Sequence, residues 1–127
     1  MNENKEYISQ IQENGSLHIS EEVIASIAGI AVMETEGVCS LGGSTGPDLS
    51  DILGKKNLSK GIRVTISEEN DISVDCTVMT KLGYSIQEVA ANAQSAVASN
   101  IESVTGLKVS AVNVTVTGIA LPKDNKR

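Results

Sequence analysis

Residues 83–121 read GYSIQEVAANAQSAVASNIESVTGLKVSAVNVTVTGIAL, and this stretch decides the fold. Ile86, Val89, Ala90, Ala93, Val97, Ile101 and Val104 recur at steps of three and four, which predicts one apolar helix face. Gln87, Asn92, Ser95, Ser99, Glu102 and Ser103 fall off that face. Ser85 with Glu88 three residues later has the form of a capping box, and Tyr84 can staple onto Val89. Gly106 stands where a left-handed cap stops a helix, and Leu107 can fold back toward Ile101. An apolar–polar alternation follows, so a capped helix feeds directly into a strand. Leu107 and Val109 have odd parity but Val112, Val114 and Val116 are even, so a β-bulge is predicted near Ser110–Val112.

Upstream of this unit, two further strands alternate cleanly. Ile62, Val64 and Ile66 interleave with Arg63, Thr65 and Ser67, and after a polar turn Ile72, Val74, Cys76 and Val78 interleave with Ser73, Asp75, Thr77 and Met79. The pattern is a hairpin with one apolar and one polar face. Earlier still, Gly15–Ile19 reads as a short strand. Ser20 then caps a first helix whose opening acids, Glu21 and Glu22, suit the positive end of the helix dipole. Val23, Ile24, Ile27, Ala28 and Ala31 are its expected buried stripe, with Gly37 as its stop.

The element order is therefore βαββαβ. The expected fold is α+β, a two-layer sandwich with a mainly antiparallel sheet and both helices on one face. Residues 1–14 are expected to be a flexible arm, 15–121 a single domain and 122–127 a polar tail. The 127-residue length suits one core. That core must be aliphatic, because the chain has no Phe or Trp and only two Tyr.

Composition narrows function by exclusion. A net charge of −6 and a lack of aromatics make poor material for binding nucleic acid or for direct docking on anionic lipid. No apolar run is long enough to span a bilayer, and residues 1–14 lack the order of a secretory signal, so direct membrane insertion is not expected and the default location is the cytoplasm. His18 is the sole histidine and reads as a strand-surface residue. Cys39 and Cys76 do not combine with it at zinc-site spacing, and Cys76 reads as a small buried hydrophobe. Gly54-Lys55 fails the phosphate-loop pattern twice, with Leu49 where glycine is required and Lys56 where Ser or Thr is required. No catalytic, metal or cofactor-binding residue is assigned.

Two surfaces remain. The outward sheet face should carry Arg63, Thr65, Ser67, Ser73, Asp75, Thr77, Asn113, Thr115 and Thr117. Lys55, Lys56, Lys60 and Arg63 concentrate positive charge at and beside the irregular 38–60 region, suiting an acidic partner. Arg63, Thr65, Thr77, Thr115, Lys55, Lys56 and Lys60 are accordingly the candidate protein-interaction residues.

Several segments in order resemble the alkaline-shock, or Gls-type, envelope stress response proteins of Gram-positive bacteria. They are Gly15-Ser16-Leu17-His18-Ile19-Ser20 with Glu22-Val23-Ile24, Glu36-Gly37-Val38, Lys60-Gly61-Ile62-Arg63-Val64, Val74-Asp75-Cys76-Thr77-Val78, Gly83-Tyr84, Val104-Thr105-Gly106-Leu107 and residues 112–118. Only near Cys76 and Met79 does a more usual hydrophobic or aromatic residue give way. The resemblance implies a non-enzymatic cytoplasmic protein of envelope homeostasis, self-associating or held at the inner face of the membrane by an anchored protein partner. Through other branches it implies, alternatively, a regulator of acetyl-CoA carboxylase acting by protein contact. A small-molecule-binding regulatory domain is the remaining reading, since two-layer sheets of this kind often dimerise around ligands.

Overall fold

The structure, a computed structural model, describes residues 7–42 and 61–121. Its elements are strands β1 (Tyr7–Gln12) and β2 (Gly15–Ser20), helix α1 (Glu21–Met33), strands β3 (Val38–Leu41), β4 (Ile62–Ile66) and β5 (Ile72–Lys81), helix α2 (Ile86–Thr105) and strand β6 (Val109–Ala120).

Both helices start where the sequence marks them. The Ser20 hydroxyl accepts the Val23 N–H and the Ser85 hydroxyl accepts the Glu88 N–H, each at 3.3 Å. Gly106 closes α2 in the left-handed conformation (φ 76°), its N–H donating to the Glu102 carbonyl at 2.9 Å. Helix α1 stops at Met33, with Glu34 as its cap, short of the expected Gly37.

Strand β5 is the axis of a four-stranded sheet. Along one side it pairs with β6 in parallel, as a strand–helix–strand crossover requires. Its other side is shared end to end: β4 pairs antiparallel with Ile72–Cys76 and β3 pairs antiparallel with Val78–Thr80. Gly42 and Gly61 meet between them. The Thr77 carbonyl accepts the Gly42 N–H at 2.7 Å, and the Thr77 N–H donates to the Gly61 carbonyl at 2.8 Å. Two glycines thus do the pairing of one strand residue, and β3 and β4 form a single edge strand into which residues 43–60 are inserted. A Cβ on Gly61, whose φ is +80°, would sit 2.5 Å from the Gly42 nitrogen, so no larger residue fits the junction.

The architecture is the expected α+β one. Three of the four strand pairings are antiparallel, and α1, over β3 and β4, packs beside α2, over β6, on one sheet face. The core between the layers is aliphatic: Ile24, Val32, Ile66, Ile72, Val74, Val78, Val97 and Ile101 are at most 1% exposed. Burying each contributes roughly 1.5–3 kcal/mol. The bulge expected near Ser110 is present, since Ile72 pairs with Val109 but Ser73 with Ala111; a second falls at Thr117.

Two strands lie outside the expected order. Tyr7–Gln12, read as part of a loose arm, pairs residue for residue with β2 across the two-residue turn Glu13-Asn14. Ile8 and Ile11, three apart, suggest a helical turn, but pairing with β2 puts them on opposite faces: Ile8 is buried and Ile11 is 92% exposed. Strand β3 has four residues and a bulge at Cys39, too little for its alternation to stand out. The α2 stripe is narrower than expected, and the α1 stripe is shifted, with Ala25, Gly29 and Val32 buried beside Ile24, Ala28 and Ala31. Val23, Ile86 and Val104 are exposed, while Val89, Ala93, Val97 and Ile101 carry the α2 contact.

Candidate interaction surface

Strand alternation and register assemble the polar face of the sheet. Arg63 lies across from Asp75, and Asp75 from Asn113; Thr65 is level with Ser73, and Thr77 with Thr115. The Asn113 amide donates to the Asp75 carboxylate at 2.8 Å, and the Thr117 hydroxyl donates to the Val78 carbonyl at 3.3 Å. Arg63, Thr65, Asn113, Thr115 and Thr117 are exposed, and Ser73, Asp75 and Thr77 are half-buried. The two helices pack on the opposite face. Of the candidate residues, Arg63, Thr65, Thr77 and Thr115 therefore come together on one face. Lys55, Lys56 and Lys60 lie outside the described residues. Chemically this face offers hydroxyls and an amide around a locally balanced pair of charges, which suits reversible hydrogen bonding to a protein surface.

A second surface was not read from the sequence. Among the described residues twelve large hydrophobics are exposed, and six of them fall on the hairpin and α1: Tyr7, Ile11, Leu17, Val23, Ile30 and Met33. On α1, Val23, Ile27, Ile30 and Met33 run at helical spacing beside the buried stripe, so the helix is apolar on two sides. A groove of about 340 Å³ follows that line, bounded by Ser20, Glu22, Val23, Ser26, Ile27 and Ile30. The signal was legible: a helix with one core face does not need a second apolar line. Helical spacing assigns both Val23 and Ile27 to the core stripe, whereas Ile27 alone packs against the core and Val23 is exposed.

The chemically active side chains are placed apart. His18 is exposed on the hairpin, sharing hydrogen bonds with Ser9 (2.7 Å at Nδ1) and Ser16 (3.3 Å at Nε2). Cys39 and Cys76 are both free thiols. Burial, and then the adjacent Asp75 carboxylate, push the Cys76 thiol from 9.0 up to about 11, so it stays protonated and is a weak nucleophile at neutral pH. Among the described residues no three His, Cys, Asp or Glu side chains are grouped to hold a metal ion. Nor is any helix there long and apolar enough to cross a membrane.

Comparison with known proteins gives a family match over almost the whole described chain. The model of the Asp-23 family, described as having a cell envelope-related function, matches residues 9–121. The uncharacterized protein YqhY of Bacillus subtilis (strain 168) is 32% identical over 105 residues, 83% of this chain and 77% of its own length. The uncharacterized protein YloU of the same strain is 35% identical over 107 residues, 83% of this chain and 88% of its own. The uncharacterized protein Spy1614 of Streptococcus pyogenes serotype M6 is 33% identical over 115 residues, 89% of this chain and 94% of its own. No solved structure matches.

Proposed function

The chain belongs to the Asp-23 family, whose function is related to the cell envelope, and from that premise we propose that it is a non-catalytic adaptor of envelope stress and homeostasis. It works by protein contact in the cytoplasm and reaches the inner face of the membrane through an anchored protein partner. The observation that carries this reading is that half of the exposed large hydrophobics among the described residues fall on the hairpin and α1. On α1 the exposed Val23, Ile30 and Met33 lie along one line, beside a groove that Val23, Ile27 and Ile30 help to form, and exposed apolar surface of this kind marks protein contact. The polar sheet face, with Arg63, Thr65, Thr77 and Thr115, and the lysines Lys55, Lys56 and Lys60 supply further contacts, the lysines toward acidic groups.

The test is cross-linked capture from native cells, membranes included, read by mass spectrometry. Wild type is compared with Val23→Ser/Ile30→Ser and with Thr65→Glu/Thr77→Glu/Thr115→Glu. All of these positions are exposed or half-buried, so the fold should persist. A small membrane protein captured by wild type and depleted with either variant is the expected result. Capture of acetyl-CoA carboxylase subunits without any membrane protein would replace the adaptor with a metabolic regulator. Equal capture by all three proteins would sink the surface assignment.

A further inference from the structure

Residues 7–42 hold five acids, Glu13, Glu21, Glu22, Glu34 and Glu36, and no Lys or Arg, whereas residues 61–121 mix both signs. Within this uniformly acidic part, the outer face of α1 is uncharged. No charged residue occurs from Val23 to Met33, and Val23, Ile30 and Met33 face solvent, where a surface helix ordinarily carries polar residues. The line is about 15 Å long, or three helical turns. Glu22 and Glu34, both exposed, close its two ends.

The groove beside this line adjoins a second hollow. Tyr7 pairs with Ser20 across the hairpin, which sets the tyrosine beside the first turn of α1. A pocket of about 300 Å³ results, lined by Tyr7, Ser20, Glu21 and Glu22; Ser20 and Glu22 also bound the groove. One oxygen of the Glu21 carboxylate is buried and has no hydrogen-bond partner among the described residues. A carboxylate short of water and of donors gains more from a neighbouring cation than a hydrated one does. The N-terminus of α1 carries roughly half a positive charge, against the full charges of Glu21 and Glu22, so the pocket is negative on balance. Tyr7, largely exposed, adds an aromatic face of the kind that attracts ammonium and guanidinium groups.

We propose that the groove and the pocket together receive a basic amphipathic helix from a partner protein. Its apolar residues, at i, i+3 or i+4 and i+7, lie along Val23, Ile27 and Ile30. A Lys or Arg one turn beyond them enters the pocket between Tyr7, Glu21 and Glu22, and a second cation at the other end meets Glu34. An acidic helix would meet like charge at both ends, a neutral one would leave Glu21 unpaired, and anionic lipid would be repelled by the same carboxylates. Lys and Arg are enriched on the cytoplasmic flanks of membrane-spanning helices, so an anchored protein has such a segment to offer.

The inference rests on the adaptor reading for the partner's origin, yet the two fail separately: loss of envelope capture leaves peptide binding standing, and absence of peptide binding leaves capture standing. The experiment is titration of the full chain with three short labelled peptides, read by fluorescence anisotropy. The first carries a helical Leu stripe flanked by Lys. The second has Glu for every Lys, and the third has the first one's residues shuffled so that no stripe forms. Only the first should bind, less tightly as salt rises. Glu21→Gln/Glu22→Gln should weaken it by about tenfold and flatten the salt dependence, whereas Val23→Ser/Ile30→Ser should weaken it about as much and leave the salt dependence unchanged. Glu68→Gln/Glu69→Gln, which removes two exposed carboxylates at the β4–β5 turn, should leave binding unchanged. Equal binding of all three peptides, or an equal loss in the two Glu→Gln pairs, overturns the proposal. Absence of binding by the first peptide does so too; if wild type then floats with protein-free vesicles and Val23→Ser/Ile30→Ser does not, the occupant is lipid.

Discussion

Thr80 is fully buried near the end of β5, and its hydroxyl has no hydrogen-bond partner among the described residues. An unpaired buried hydroxyl costs free energy that an isosteric methyl does not. Thr80→Val should therefore raise stability by about 1 kcal/mol in urea denaturation, and a loss of that size would mean the hydroxyl is bonded after all. Cys76 makes a pH-dependent contribution. Its folded thiol ionises near 11 and its unfolded thiol near 9.0, so between those values the folded state binds more protons. The stability tied to this group is whole below about pH 9 and is lost as pH rises through about 11, a fall of about 3 kcal/mol. Cys76→Val should flatten that fall, which denaturation midpoints measured from pH 8 to 11 would show. Individual residues were legible where alternation was strict. Cys76 and Val97 are buried as the pattern required, and Arg63, Thr65 and Thr115 face outward. Residues such as Val23 and Val104 were misread because helical periodicity names a face but not how much of it a neighbour covers.

At the scale of elements, the edge strand assembled from β3 and β4 is the least predictable feature. Its pairing with β5 runs through Gly42 and Gly61 on a single partner residue, Thr77, although eighteen residues separate the two glycines in sequence. A chain joining Gly42 directly to Ile62, with 43–61 deleted, should fold with the same helix and strand content. Closing a shorter loop should also make it no less stable. A molten or unfolded product, read by near-ultraviolet circular dichroism and hydrogen exchange, would show that the inserted residues are part of the core. Periodicity could not foresee the splice, because register across a long insertion is decided by tertiary contact with β5. The hairpin was hidden for a similar reason: the apolar residues of Tyr7–Gln12 do not alternate, and only pairing with β2 makes it a strand. Helix α2 and the bulge in β6 were legible because their signals are local, a pair of caps for the one and a change of parity for the other.

At the scale of the molecule, two layers on an aliphatic core leave three surfaces uncommitted: the polar sheet face, the apolar line of the hairpin and α1, and the β6 edge. The first was legible directly, because alternation marks an outward face, and the second indirectly, through the extra apolar line on α1, whereas the β6 edge depends on where the second layer ends. A net charge of −6 works against direct attraction to anionic lipid, so the adaptor proposal routes membrane association through protein. The most direct measurement is flotation of the purified chain with native membrane vesicles, protease-stripped membranes and protein-free anionic vesicles in parallel. The adaptor account predicts co-flotation with the native membranes alone. Equal flotation with protein-free vesicles, or with none of the three, would contradict it.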